Sequence, residues 1–134
     1  PPLCSVRASA SQSAANGSVT ALAADVEIFD NDAMHSTSVN PERITIQTAG
    51  RYRFSARVEF ASSASGAREI RFYKNGSSLG AAYLMTPNAG VHVVTTYTED
   101  ASIPGDYYHV AVVQSSGNPL AVTLRGFSAT HLSR

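Results

Sequence analysis

Residues 51–60 alternate without a break. Tyr52, Phe54, Ala56, Val58 and Phe60 are apolar, and Arg51, Arg53, Ser55, Arg57 and Glu59 fall between them. A period of two is the signature of a strand with one buried face, because successive side chains point to opposite sides of the sheet. A strand of this length needs partners on both edges and a second layer over its apolar face. This one segment therefore points to a sheet sandwich or barrel.

The rest of the chain agrees. Ile70 and Phe72 continue the pattern and lead into Asn75-Gly76. That dipeptide favours a type I′ hairpin, which needs positive φ at both central residues. Further strands are expected at Ile44–Gln47, Ser78–Met85, Val91–Thr98, Tyr107–Gln114 and Leu120–Leu132. Pro41, Pro87, Pro104 and Pro119 lie between these runs or at their edges, as residues without a ladder N–H should. In the last run the apolar parity slips between Leu124 and Phe127, which predicts a β-bulge at Gly126. The Ala-rich stretch Ala14–Ala24 is interrupted by Asn16-Gly17 and Val19-Thr20 and is not expected to be a helix. No internal repeat or boundary divides the 134 residues, so one domain over 1–134 is expected, with 1–17 as a linker or an edge strand.

Charge and composition narrow the function. Lys plus Arg and Asp plus Glu balance at ten each, which leaves no electrostatic footprint for nucleic acid or anionic lipid. No run approaches a membrane-spanning length. The one cysteine, Cys4, rules out an intrachain disulfide. The start Pro1-Pro2-Leu3-Cys4 has neither Met nor a signal-peptide pattern, which suggests a chain cut from a larger protein.

Catalytic patterns are missing. His35, His92, His109 and His131 lack zinc-site spacing, no Gly-x-Ser-x-Gly elbow occurs, and the neighbours Glu99 and Asp100 should face opposite ways on a strand. The domain is accordingly expected not to be an enzyme and to need no cofactor. Asp25, Asp30 and Asp32 are the weak candidates for a calcium site; the plainer reading is a solvated loop after a strand. Arg51, Arg53 and Arg57, followed by Arg68 and Arg71, read as a solvated face paired with Glu59 and Glu69, or as a contact for carboxylates.

The segment 44–54 resembles the signature of the complement-q globular head, an apolar residue six before a Gly and then Gly-x-Tyr-x-Phe. Ile44, Gly50, Tyr52 and Phe54 occupy those places. Phe29-Asp30, Met34-His35, Asn40-Pro41-Glu42-Arg43, Gly66-Ala67-Arg68, Lys74-Asn75-Gly76 and the ending Phe127–Leu132 look like bacterial and phage versions of that domain. The animal signature has aromatics at several upstream places where this chain has Val, Thr and Ile. The resemblance implies a ten-stranded antiparallel jelly-roll sandwich of the complement-q/tumour-necrosis-factor type, assembled as a compact homotrimer. It also implies a surface module on a virion, as a tail-fibre head or capsid decoration, that adheres to a host-surface saccharide or protein. The alternatives are a purely structural trimerising or capping domain that contacts other virion proteins, and a secreted or spore-surface bacterial protein.

Two sets of residues follow as candidates. Tyr107–Val113 is apolar on both parities, so Tyr108, His109, Val110 and Val112 are the expected trimer contacts, with Ile44, Gly50, Tyr52, Phe54 and Phe127 as core. The loops Ser62–Gly66, Thr86–Gly90 and Ser115–Pro119 are the expected binding loops, represented by Ser62, Ser65, Pro87, Asn88, Ser116 and Asn118.

Overall fold

A computed structural model describes residues 1–85 and 90–134. Among these, eleven strands and no helix form two antiparallel sheets. The strands are β1 (Leu3–Arg7), β2 (Gln12–Ala14), β3 (Thr20–Ala21), β4 (Val26–Asp30), β5 (Ile44–Thr45), β6 (Gly50–Phe60), β7 (Arg68–Lys74), β8 (Ser77–Met85), β9 (His92–Ser102), β10 (Tyr107–Gln114) and β11 (Leu120–Ser133). The first sheet runs β4-β1-β11-β6-β9, with β2 also on β11. The second runs β3-β10-β7-β8, with β5 on β10. This is the jelly-roll sandwich expected, with one strand more than the ten implied.

The long alternating segment sits as its pattern requires. In β6, Tyr52, Phe54, Ala56, Val58 and Phe60 are all buried. Ile70 and Phe72 from β7, Val110 and Val112 from β10, and Val122, Leu124 and Phe127 from β11 meet them between the sheets. Phe54 stacks on Tyr108 across the sandwich with centroids 3.9 Å apart, and Phe72 meets Phe127 at 6.4 Å. Each such aromatic takes roughly 150–250 Å² out of water.

Local details follow the sequence. Asn75 and Gly76 adopt φ of 52° and 85°, as a type I′ turn demands. The β6–β11 register slips between Leu124 and Gly126, so the bulge lies where the apolar parity changes. A side chain on Gly50 would collide with His131 and with the Ser133 carbonyl, because β11 passes directly over the start of β6.

Several expectations need correction. Within residues 1–17, β1 is not an edge strand, since it lies between β4 and β11 with Cys4 and Val6 facing the core, whereas β2 is laddered on one side only, to β11. Burial, assisted by the charges of Asp30 and Glu27, pushes the Cys4 thiol up to about 12, so it behaves as a small apolar residue. The strand expected over 44–47 is laddered only at Ile44–Thr45. Ile46 instead bonds Asp106 and Gly105 through its backbone. Tyr108, Val110 and Val112 are not on a subunit surface. They point into the sandwich of one chain and are fully buried there, leaving His109 on the outer face, stacked on Tyr73 at 4.7 Å. Arg68 does not join a solvated arginine face; it shares the parity of Ile70 and Phe72 and is fully buried.

Candidate functional site

Antiparallel connection brings two of the expected loops, 62–66 and 115–119, to one end of the sandwich. β6 ends and β7 begins there, Arg68 pairs with both Met85 and Gln114, and β11 starts alongside. Residues 61–67 and 115–119 therefore stand side by side. Pro2 and His131, linked by a 3.0 Å backbone hydrogen bond, lie at the opposite end. Pro87 and Asn88 lie outside the described residues.

Two buried polar side chains organise these loops: Arg68, expected from the sequence on a solvated face, and Gln114, which the sequence did not single out. The Arg68 guanidinium donates through Nη1 to the carbonyls of Ser65 (2.9 Å) and Ala67 (3.1 Å), and through Nη2 to that of Ser63 (3.1 Å). Its Nε has no partner among the described residues. Burial without a carboxylate lowers the Arg68 pKa, yet a guanidinium stays charged in proteins. Gln114 does the same for the other loop. Its Nε2 donates to the carbonyls of Asn118 (2.7 Å) and Ala14 (2.9 Å), and its Oε1 accepts from the Ser116 amide (2.8 Å).

The loops are also tied to each other. The Ala67 amide donates to Ser115 Oγ at 2.8 Å, the Ser115 amide to the Ala67 carbonyl at 3.1 Å, and the Gly117 amide to Asn16 Oδ1 at 2.8 Å. Ser62 Oγ accepts from the Gly90 amide at 3.0 Å. Ser62, Ser65 and Asn118 nevertheless present exposed side chains, and Ser116 is half-buried. The result is a fixed backbone carrying small hydroxyl and amide groups, which suits hydrogen bonding to a polar ligand at low ordering cost.

The acidic residues do not converge. Asp25 bonds Ser9, Asp30 caps the amides of Asp32, Met34 and His35, and Asp32 accepts from Thr48. Each carboxylate is engaged separately, and no metal-holding group of three acidic, His or Cys side chains occurs among the described residues. Asp25, Asp30 and Asp32 are thus not brought together as one ligand set.

Glu99 and Asp100 do face opposite ways. Glu99 pairs on the outer face with Arg53 at 2.7 Å, and Arg53 in turn lies 5.2 Å from the centre of the Tyr97 ring. Asp100 turns inward, where it accepts from Lys74 Nζ (2.7 Å) and the Tyr108 hydroxyl (2.6 Å), joining β9 of one sheet to β7 and β10 of the other. Burial pushes the Asp100 carboxyl up, but these hydrogen bonds and the Lys74 charge outweigh it and hold the group below its ordinary value. A depressed folded pKa contributes stability above the unfolded value of about 4, and that contribution is lost as pH falls through the folded pKa. Asp100→Asn is expected to cost about 1–2 kcal/mol at pH 7. The gap to the wild type should close below about pH 4, as read from urea midpoints across pH.

Half of the exposed large apolar residues among the described residues lie on β8, β9 or just before β9. Leu79, Tyr83 and Leu84 on β8, Val91 before β9, and Val93 and Tyr97 on β9 all meet solvent, Tyr97 at 62% and Leu84 at 66%. These two strands are the sheet edges on that side of the sandwich.

No protein-family model and no curated protein matches the sequence. Solved structures do match the fold. The globular domain of zebrafish complement 1qA is similar over 100% of this chain and 99% of its own, with a TM-score of 0.70 and 14% identity. A crystal structure of murine APRIL at pH 8.0 is similar over 96% of this chain and 98% of its own, with a TM-score of 0.66 and 11% identity. At these identities the likeness is one of architecture: the chain has the complement-q/tumour-necrosis-factor jelly-roll fold.

Proposed function

We propose that the chain is a non-catalytic homotrimeric head on a virion surface, in a tail fibre or as a capsid decoration, that adheres to a host-surface saccharide or protein. The observation that carries this reading is the gathering of the serine- and asparagine-bearing loops at the end opposite Pro2 and His131, on a backbone held by Arg68 and Gln114. A chain tethered near either of those residues presents its loops outward. The virion setting rests on the resemblance of the sequence pattern to phage and bacterial versions of the domain.

The trimer is supported by the apolar strip on β8 and β9. Six exposed large apolar side chains on two neighbouring edge strands suit an interaction face. In this reading β8 and β9 replace β10 as the trimer face, because Tyr108, Val110 and Val112 are buried inside the sandwich of one chain. Three equal sites on one rigid head multiply weak binding when the target is repetitive. Fluorescently labelled protein applied to candidate host cells tests the adhesive role. Saturable binding that free host polysaccharide competes away is expected. Failure to bind any host surface would instead favour a purely structural trimerising or capping domain.

A further inference from the structure

A hollow of about 350 Å³ opens on the outer face of the first sheet, where the segment Ser9–Ser11 passes beside the loop-proximal ends of β6 and β11. That volume is at the lower end of small-ligand pockets. Its walls carry the hydroxyls of Ser9, Ser11 and Thr123 and the side chains of Glu59 and Arg125, and Ala121 is one of the alanines that keep it open. Glu59 stands opposite Thr123 across the β6–β11 ladder. Arg125 reaches Glu59 through Nη2, at 3.1 Å from each carboxylate oxygen, and through Nε at 3.3 Å. Its Nη1 has no hydrogen-bond partner among the described residues.

We infer that this hollow is a subsite for a neutral saccharide, gripped through a vicinal diol by the Glu59–Arg125 pair; the inference rests on the saccharide form of the adhesion reading. A carboxylate has lone pairs to spare after a bidentate contact, and a guanidinium has five N–H groups in a fixed fork. One sugar hydroxyl donates to Glu59, and its neighbour accepts from Arg125 Nη1. The hydroxyls of Ser11 and Thr123, each both donor and acceptor, complement further ring hydroxyls. Ser9 Oγ, which donates to Asp25, can accept from one, and alanine methyls receive the C–H face. The pair sums to zero charge, so an uncharged ring suits it. A uronate would place its carboxylate in the same small space as that of Glu59.

The test is an amide chemical-shift titration of the intact protein with neutral methyl glycosides (glucoside, galactoside, mannoside) and with the corresponding uronates. Saturable shifts at Ser9, Ser11 and Ala121 are expected with at least one neutral glycoside. Glu59→Gln should weaken binding about tenfold, the loss of one charge-assisted hydrogen bond. Ala121→Leu, which fills the hollow and leaves the ion pair untouched, should abolish it. The inference is overturned if no neutral glycoside shifts these amides, if uronates bind as well, or if both variants bind like the wild type. Failure of the broader adhesion reading is separate, because it appears as absent host-cell binding by the wild type whatever the titration gives.

Discussion

Replacing Phe54 with alanine is expected to destabilise the domain by about 3–5 kcal/mol. Phe54 is fully buried, stacks on Tyr108 at 3.9 Å and lies 6.0 Å from Tyr52, so its ring bridges the two sheets near the middle of the core. Truncation removes the transfer free energy of the ring and leaves a cavity whose walls belong to laddered strands on both sides. Such walls collapse poorly, and the unrecovered contacts add to the loss. Domains of this size hold only about 5–15 kcal/mol in all, so the variant should be near the edge of folding at 37 °C. Urea midpoints at one fixed protomer concentration check this, since assembly makes apparent stability concentration-dependent. A loss below about 1 kcal/mol would show that Phe54 does not bridge the sheets.

Gly66→Ala is expected to cost about 2–4 kcal/mol and to disturb the loop end as a whole. Gly66 has φ of 73°, which alone costs alanine about 1 kcal/mol. A Cβ there would also overlap the carbonyl group of Ser115, which is backbone and cannot swing aside. The loops must separate, and the two hydrogen bonds between Ala67 and Ser115 go with them. Gly117→Ala is the control. Its φ is 96°, but nothing lies within 4 Å of the added Cβ, so only the backbone cost of about 1 kcal/mol remains. Paired denaturation curves and hydrogen exchange at residues 63–67 and 115–117 measure both. Equal losses in the two variants would show that the loops are not rigidly joined.

Much of the frame was legible because period and turn chemistry act locally. The bounds of β10, the positive φ at Asn75-Gly76 and the bulge at Gly126 all follow from patterns a few residues long. What failed depended on which of two surfaces a residue meets. β10 is apolar on both parities, and parity alone does not tell the interior of one chain from a contact between chains; the structure spends Tyr108, Val110 and Val112 inside. Arg68 carried its own signal, the shared parity with Ile70 and Phe72, but its charge argued for solvent. Only the three carbonyls waiting for it explain the burial. Cys4 and Val6 likewise alternated inward in a segment whose serines suggested a linker. The gathering of the loops and the hollow beside Glu59 came from neither period nor motif, because both arise from strand order, which joins residues far apart in the chain.

The adhesive head as a whole turns on assembly, since the avidity argument and the role given to the β8–β9 strip both need three copies. The direct measurement is absolute mass in solution by size exclusion with light scattering, at protein concentrations spanning two decades. The account predicts a single species of three times the 14.1 kDa chain mass, dissociating when Tyr97 at the strip is replaced by lysine. A monodisperse 14.1 kDa species at every concentration would contradict it, leaving the jelly roll intact but without the multivalent head.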